Sequence, residues 1–211
     1  MTNEHVRFGT WKWGCNLLLL LMVAIASSCS SDTPIQGTDE EHEYDELQLE
    51  GNWEKIIEKS RGTQVTSLAC QKVVRLAELR LGRAGKDAVY ECLANSHEVL
   101  TSPTAALMMS DVYLQIGMVN MAQRAAFESL SKAPDVKING RAYRRLTETA
   151  IITGQYEVAL KYISLLEEIR THRKWAHEMR RIAEHPERIV EQPAYLQLRN
   201  TYEKTEDQFF M

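Results

Sequence analysis

Four glycines constrain this chain more than any other feature. Gly51, Gly85, Gly117 and Gly154 each precede a similar helical pattern, at spacings of 34, 32 and 37 residues. A period in the thirties means supersecondary units too small to bury their own apolar faces, so neighbouring units must stack. The residues around the glycines repeat as well. Tyr113, Gly117, Ala122 and Pro134 form one set, Gly154, Tyr156 and Ala159 the next, and Gly51, Trp53 and Ile56 an earlier one. Gly permits a tight turn, small Ala lets two helices approach closely, and the aromatic fills the space between pairs. The Gly85 unit departs from this, with Tyr90 where Ala is expected and Ala88 two positions early.

Local signals favour helices throughout. Thr101-Ser102-Pro103 offers a capping hydroxyl followed by Pro at the first helical position. Leu107, Val112, Leu114 and Met118 give that helix an apolar side, and Ala122, Ala126, Phe127 and Leu130 do so for the next, which stops before Pro134. Tyr156, Ala159, Leu160, Ile163 and Leu166 share one face at helical spacing. Met108, Met109, Met118 and Met121 read as core filler. With 10 Gly and 5 Pro the chain lacks the turns of a sandwich or barrel, and 44% apolar with 26% charged residues excludes a wholly disordered or multi-spanning chain. The period and pattern match tetratricopeptide repeats. The expected fold is all-α: a right-handed α-solenoid of four tetratricopeptide-like hairpins with a C-terminal capping extension.

The first thirty residues read as a leader. Arg7 and Lys12 precede an apolar run, Leu17 to Ala26, with Glu4 the only acid before it. Its ten residues are about half of the ~20 that a membrane-crossing helix needs. Ala26-Ser27-Ser28-Cys29 looks like a bacterial lipobox, although Ala26 stands where Leu is usual. The thiol of Cys29 would take a diacylglyceryl group as a thioether, and its freed amine a further acyl chain. Several chains on one residue exceed the single-chain threshold for reversible binding, so stable membrane attachment is expected. The plainer readings are an ordinary signal cut after Ala26 or Ser28, and an uncleaved anchor. Ser30 is not the Asp of inner-membrane retention, which points to the outer membrane of the cell envelope, on either face. The Cys-Ser-Ser-Asp start also looks like lipoproteins of the Bacteroidota.

The expected divisions are a leader over 1–28, a lipidated Cys and flexible acidic tether over 29–42, helical repeats over 43–171 and a helical extension over 172–211. Removing the first 28 of 211 residues leaves 183, enough for one domain with a core. From Asp32 to Glu58 there are ten acids against one base, Lys55, the composition of a solvated spacer. Cys70 and Cys92 sit at unequal distances from the turn near Gly82 to Gly85, which favours buried, unpaired thiols over a disulfide. The extension is expected to hold a helix from His172 to Glu184, then a segment with Pro186 and Pro193. Trp175, Tyr195 and Leu198 are placed to cover the open end of the stack.

No catalytic constellation emerges. His177-Glu178 begins like a zinc-protease motif, but Arg181 stands where the second His is needed. His172, His177 and His185 share no clean helical face, so no metal and no cofactor are implied. A net charge of −4 gives no reason to expect nucleic acid. What remains is a binding surface. Repeat numbering puts Lys72, Arg75, Thr104, Asp111, Gln115, Arg141 and Arg144 on the concave side. From Lys137 to Arg188 eleven bases face seven acids, so an acidic peptide or carboxylate partner suits the arginines, which grip carboxylates bidentately. The competing reading is that these are solvated surface charges. The expected function is non-enzymatic: a lipid-anchored scaffold binding a protein or peptide, or else an accessory subunit docked by its convex face or C-terminal end.

Arg145-Leu146-Thr147-Glu148-Thr149, Gly154-Gln155-Tyr156-Glu157, Lys161-Tyr162 and Arg173-Lys174-Trp175-Ala176 together resemble the C-terminal region of an uncharacterised Bacteroidota membrane-protein family. Leu198-Arg199, Thr205-Glu206-Asp207 and Phe209 extend the match, which runs from about Tyr44 to Phe210. The resemblance implies an extracytoplasmic helical repeat region. The resemblance implies a multi-spanning part before that region in the family, in whose place this chain is expected to use a lipid at Cys29. No activity and no catalytic residue transfer with the resemblance.

Overall fold

The computed structural model describes residues 37–132 and 136–202. The chain divides into Met1–Thr33 and Pro34–Met211. The first unit, with the leader and Cys29, lies outside the described residues. Every regular element described is helical. In chain order they are α1 (Asp39–Leu49), α2 (Trp53–Gly62), α3 (Leu68–Arg80), α4 (Ala88–Glu91), α5 (Ser96–Val99), α6 (Pro103–Gln115), α7 (Val119–Lys132), α8 (Val136–Ile152), α9 (Tyr156–Glu168), α10 (Arg173–Glu184), a 3₁₀ turn (Pro186–Glu191) and α11 (Pro193–Tyr202).

Four helices end in the same way. After α1, α3, α6 and α8, Gly51, Gly82, Gly117 and Gly154 adopt φ of 66°, 67°, 89° and 77°. In each case the glycine N–H and the next N–H reach back to two carbonyls of the last turn. Asn52 reaches Leu47, Arg83 reaches Glu78, Met118 reaches Tyr113 and Gln155 reaches Ala150. This is the Schellman motif, which requires a left-handed residue and so selects glycine. The second member is Gly82, not Gly85, which corrects the register to spacings of 31, 35 and 37 residues. Gly85 has no positive φ. The three-residue offset explains why its unit fitted so poorly.

The hairpins α1–α2, α6–α7 and α8–α9 are regular. In the second unit α3 is followed by the four-residue helices α4 and α5 instead of one partner helix, so four complete hairpins do not form. The first helices of successive units touch on one side: α1 packs on α3 and α6, α3 on α6, α6 on α8, and α8 on α10. Central α6 is buried around nearly its whole circumference, and Asp111 is the exception within Pro103–Leu114. Ala122 and Ala159 are fully buried, as close helix approach demands. Met108 and Met109 are buried core residues, with Met118 and Met121 packed against them.

Apolar burial falls into two clusters. One runs from Tyr44 through α6 to Ala125 and Ile152; the other joins Ala150 and Ile151 to α9, α10 and Ile189. Cys70 and Cys92 are buried and free. Burial pushes their thiols up to about 12 and about 11, which leaves them protonated and inert at neutral pH. The acidic tether ends sooner than expected, because Asp39–His42 is already helix. Thr38 Oγ1 accepts from Glu41 N–H, and the Glu41 carboxylate accepts from Thr38 N–H, a reciprocal cap that starts α1 there.

Candidate functional site

The side of the molecule formed by the first helices carries a buried charged seam. Arg141 on α8 grips Asp45 of α1 bidentately, Nη1 to Oδ2 at 2.6 Å and Nη2 to Oδ1 at 2.9 Å. Its Nη2 also donates to Asp111 Oδ2 of α6 at 2.9 Å. Asp111 accepts from Arg145 through its other oxygen, and Arg145 Nη1 lies 2.8 Å from Glu148 Oε2. Glu148 Oε1 accepts from the Tyr195 hydroxyl of α11 at 3.1 Å and sits 3.5 Å from Arg144 Nε. The Arg144 guanidinium lies over the Trp175 ring, 4.7 Å from its centroid.

Three carboxylates therefore offset three guanidinium groups. Burial pushes the Asp45 carboxyl above the ordinary range despite its bond to Arg141. Burial acts the other way on Arg141 and Arg145, but their acidic partners outweigh it and hold both above the usual arginine value. Tyr195 is raised by burial and by Glu148, so it stays a hydrogen-bond donor. The seam is a closed electrostatic unit that binds α1, α6, α8 and α11 together.

The seven residues selected as a concave surface are thus dispersed. Asp111 and Arg141 meet in the seam, paired within the chain. Arg144 stands at its edge, with 46% of its side chain exposed. Lys72 and Arg75 turn to α4, where Lys72 Nζ donates to the Glu91 carbonyl at 2.7 Å and Arg75 Nη2 to the Glu91 carboxylate at 2.8 Å. Thr104 is buried beside Gly37, where an added Cβ would lie 3.0 Å from its side chain. Gln115 Oε1 accepts from Arg80 Nε at 2.9 Å. Spacing did not reveal Asp45, Arg145, Glu148 or Arg80, and it gives Tyr195 only as a cover for the end of the stack. Arg145 and Glu148 carried a usable signal, because they share a helical face with Arg141 and Arg144 at i, i+3 and i+4 offsets.

Arg80 and Gln115 line a crevice of about 460 Å³ between the ends of α3 and α6 and one face of α11. Leu114, Ile116 and Leu198 supply apolar walls, and Gln197 and Thr201 polar ones. A second cavity, of about 400 Å³, lies where α1, α3 and α6 begin. Two of its carboxylates, Glu40 and Glu41, bond residues at the starts of these helices. Glu40 accepts from Thr66 N–H and Oγ1 and from Ser67 N–H, at 3.0, 2.7 and 2.8 Å. Burial raises the Glu40 carboxyl, but these bonds and Lys59 outweigh it and leave it lowered. Glu41 accepts from Thr38 N–H, Ser67 Oγ and Ser102 Oγ, the capping residues of the same three helices.

Among the described residues no group of His, Cys, Asp and Glu is placed to hold a metal ion. No described helix is long and apolar enough to cross a membrane. Comparison with curated proteins and with solved structures finds no match. A family profile does match, over residues 2–211, and it spans the caps, the seam and the crevice alike. On that match the chain belongs to the family of unknown function DUF6057.

Proposed function

We propose that this protein is a lipid-anchored scaffold of the cell envelope, a right-handed stack of tetratricopeptide-like hairpins that binds a protein or peptide and performs no catalysis. One observation carries the reading. Four successive first helices end in the same glycine cap and pack against one another, the arrangement through which repeat proteins present extended binding surfaces. The lipid on Cys29 and the outer-membrane location rest on the lipobox-like Ala26-Ser27-Ser28-Cys29 alone.

Arg141 is held by two carboxylates, so the groove would engage its partner through residues left accessible beside the seam, Arg144 and Gln115. A second reading is docking through the second helices. Phe127 of α7 and Leu165 of α9 are exposed there, and Phe127 meets Tyr162 edge-on at 6.3 Å while Tyr143 stacks on it at 6.0 Å. Large exposed aromatic groups favour protein contact.

Cross-linking in intact cells, followed by recovery of partners, tests both. The Arg144→Glu/Gln115→Ala pair should abolish recovery if the groove binds, and Phe127→Ser should abolish it if the second helices do. Recovery unaffected by either set would refute the scaffold reading. Fatty-acid labelling of wild type and Cys29→Ala tests the anchor, and label retained in the variant would refute it.

A further inference from the structure

We infer that the crevice between α3, α6 and α11 is a binding site for a carboxylate carried on a short aliphatic stem. The inference goes beyond the scaffold reading, because it concerns what this crevice binds whether or not a protein partner supplies it. Arg80 is the first reason. Its Nε donates to Gln115 Oε1 at 2.9 Å, which fixes the plane of the guanidinium. No other hydrogen bond or ion pair within the described residues engages its two terminal nitrogens. Arg75, Arg83, Arg141, Arg144, Arg145, Arg180 and Arg188 are all ion-paired to carboxylates, whereas Arg80, like Arg173 and Arg199, is oriented by a neutral acceptor with no carboxylate partner among the described residues, and of these three it is Arg80 that lines the crevice. A fixed guanidinium fork with both ends open matches a carboxylate bidentately.

The surroundings supply the remainder of a ligand site. Leu114, Ile116 and Leu198 form apolar walls large enough for a branched aliphatic group, and about 460 Å³ lies within the usual range for small-ligand pockets. Gln115 and Gln197 offer amides at the rim, suited to a peptide group next to the carboxylate. Gly117 and Thr201 line the crevice together, and a Cβ added at Gly117 would come into ordinary contact with Thr201 Cγ2 at 3.5 Å. One effect opposes anion binding: α3 and α6 both end here, and a helix C-terminus carries roughly half a negative charge. The Schellman bonds at Gly82 and Gly117 already engage carbonyls of both last turns, and Arg80 sets a full positive charge against that partial negative one. The cation wins.

The test titrates N-acetyl-alanyl-leucine, its C-terminal amide and 4-methylpentanoate into the full-length chain, following the Arg80 Nε–H and Gly117 N–H resonances by NMR. The acid should shift both saturably in the millimolar range, as suits one charged contact and a small apolar surface. The amide should bind about tenfold more weakly or worse, and Arg80→Gln should weaken the acid by a similar factor. Arg80 is exposed, so this variant keeps the fold, and Arg80→Lys should recover part of the binding without the fork. A dipeptide that binds tighter than 4-methylpentanoate identifies a peptide end as the ligand, and equal binding identifies a free carboxylic acid. Acid and amide binding alike, no effect of Arg80→Gln, or no saturable shift up to about 10 mM would each overturn the inference. These outcomes do not depend on whether a partner is recovered from cells.

Discussion

Arg141 shows how a charge chosen for one role can serve another. Its buried guanidinium neutralises Asp45 from a helix 96 residues away in the chain. Removing one member of such a pair leaves an uncompensated buried charge, so Arg141→Ala should cost about 3–5 kcal/mol in urea unfolding at neutral pH. The double variant Asp45→Leu/Arg141→Met should recover most of that loss, because Asp111 keeps Arg145 and two apolar side chains replace the pair. A double variant as unstable as Arg141→Ala would show that the seam contributes more than charge balance. The carboxylates also predict opposite responses to pH. Glu40 is held below its ordinary value, so its contribution is present at neutral pH and is lost as pH falls through that lowered value. Asp45 is held above its ordinary value, so it favours the folded state in acid and loses that contribution as pH rises through the raised value. Glu40→Gln should therefore be more damaging at pH 7 than in acid, and Asp45→Asn should show the reverse trend; unfolding curves across the acid range read both. The sequence singles out Arg141 as a candidate partner-binding residue but does not reveal Asp45 as its neighbour within the chain, because spacing along one helix says nothing about which residue of a distant helix will face it.

At the scale of elements, the helices of this chain were largely readable and one turn was not. Ser102-Pro103 announced the start of α6, and Ser102 Oγ does accept from Ala105 N–H at 3.0 Å. The expected helix from His172 to Glu184 is α10 within a residue. Gly82 and Gly85 were indistinguishable by type, and only the closing of the last turn of α3 decides between them. Two substitutions separate them. Gly82→Ala places a Cβ on a residue at φ 67° and should cost about 1–2 kcal/mol. Gly85→Ala meets nothing within 4 Å at an ordinary φ, so it should be neutral or slightly stabilising. Thermal melts resolve this, since about 1 kcal/mol shifts Tm by roughly 2–4 °C in a domain of this size. The missing second helix of that unit has a similar origin. Asp87 and Cys92 bound α4 after a single turn, and no hydrogen bond from the Asp87 side chain caps it. The tether misled for a different reason, because a reciprocal cap between Thr38 and Glu41 starts a helix whose inward face includes Asp45 and Gln48 as well as Tyr44 and Leu47. Apolar periodicity cannot reveal a helix that buries polar groups.

For the molecule as a whole, the question is what makes two apolar clusters behave as one domain. They meet at α8, where Ile152 belongs to one and Ala150 and Ile151 to the other. They meet again at α11, whose Tyr195 packs against both. No residue of α11 is fully buried, so this strap is held by specific bonds more than by apolar area. Tyr195 donates to Glu148, and Arg199 Nε donates to the Ile152 carbonyl at 2.9 Å while its Nη2 reaches the Tyr156 hydroxyl at 2.7 Å. An element with so little buried area opens at lower free energy than the core, so its amides should exchange with solvent before those of α6 or α8. Tyr195→Phe removes one bond to a charged acceptor and should cost about 1.5–3 kcal/mol while leaving unfolding cooperative. Tyr195→Ala also removes the shared packing, and the two clusters should then unfold at different urea concentrations. Trp53 packs against the first cluster and Trp175 against the second, so difference fluorescence against Trp53→Phe and Trp175→Phe follows each separately. Coincident transitions in Tyr195→Ala would mean that α8 alone couples the two halves, and α11 would then be a passive cover over the seam.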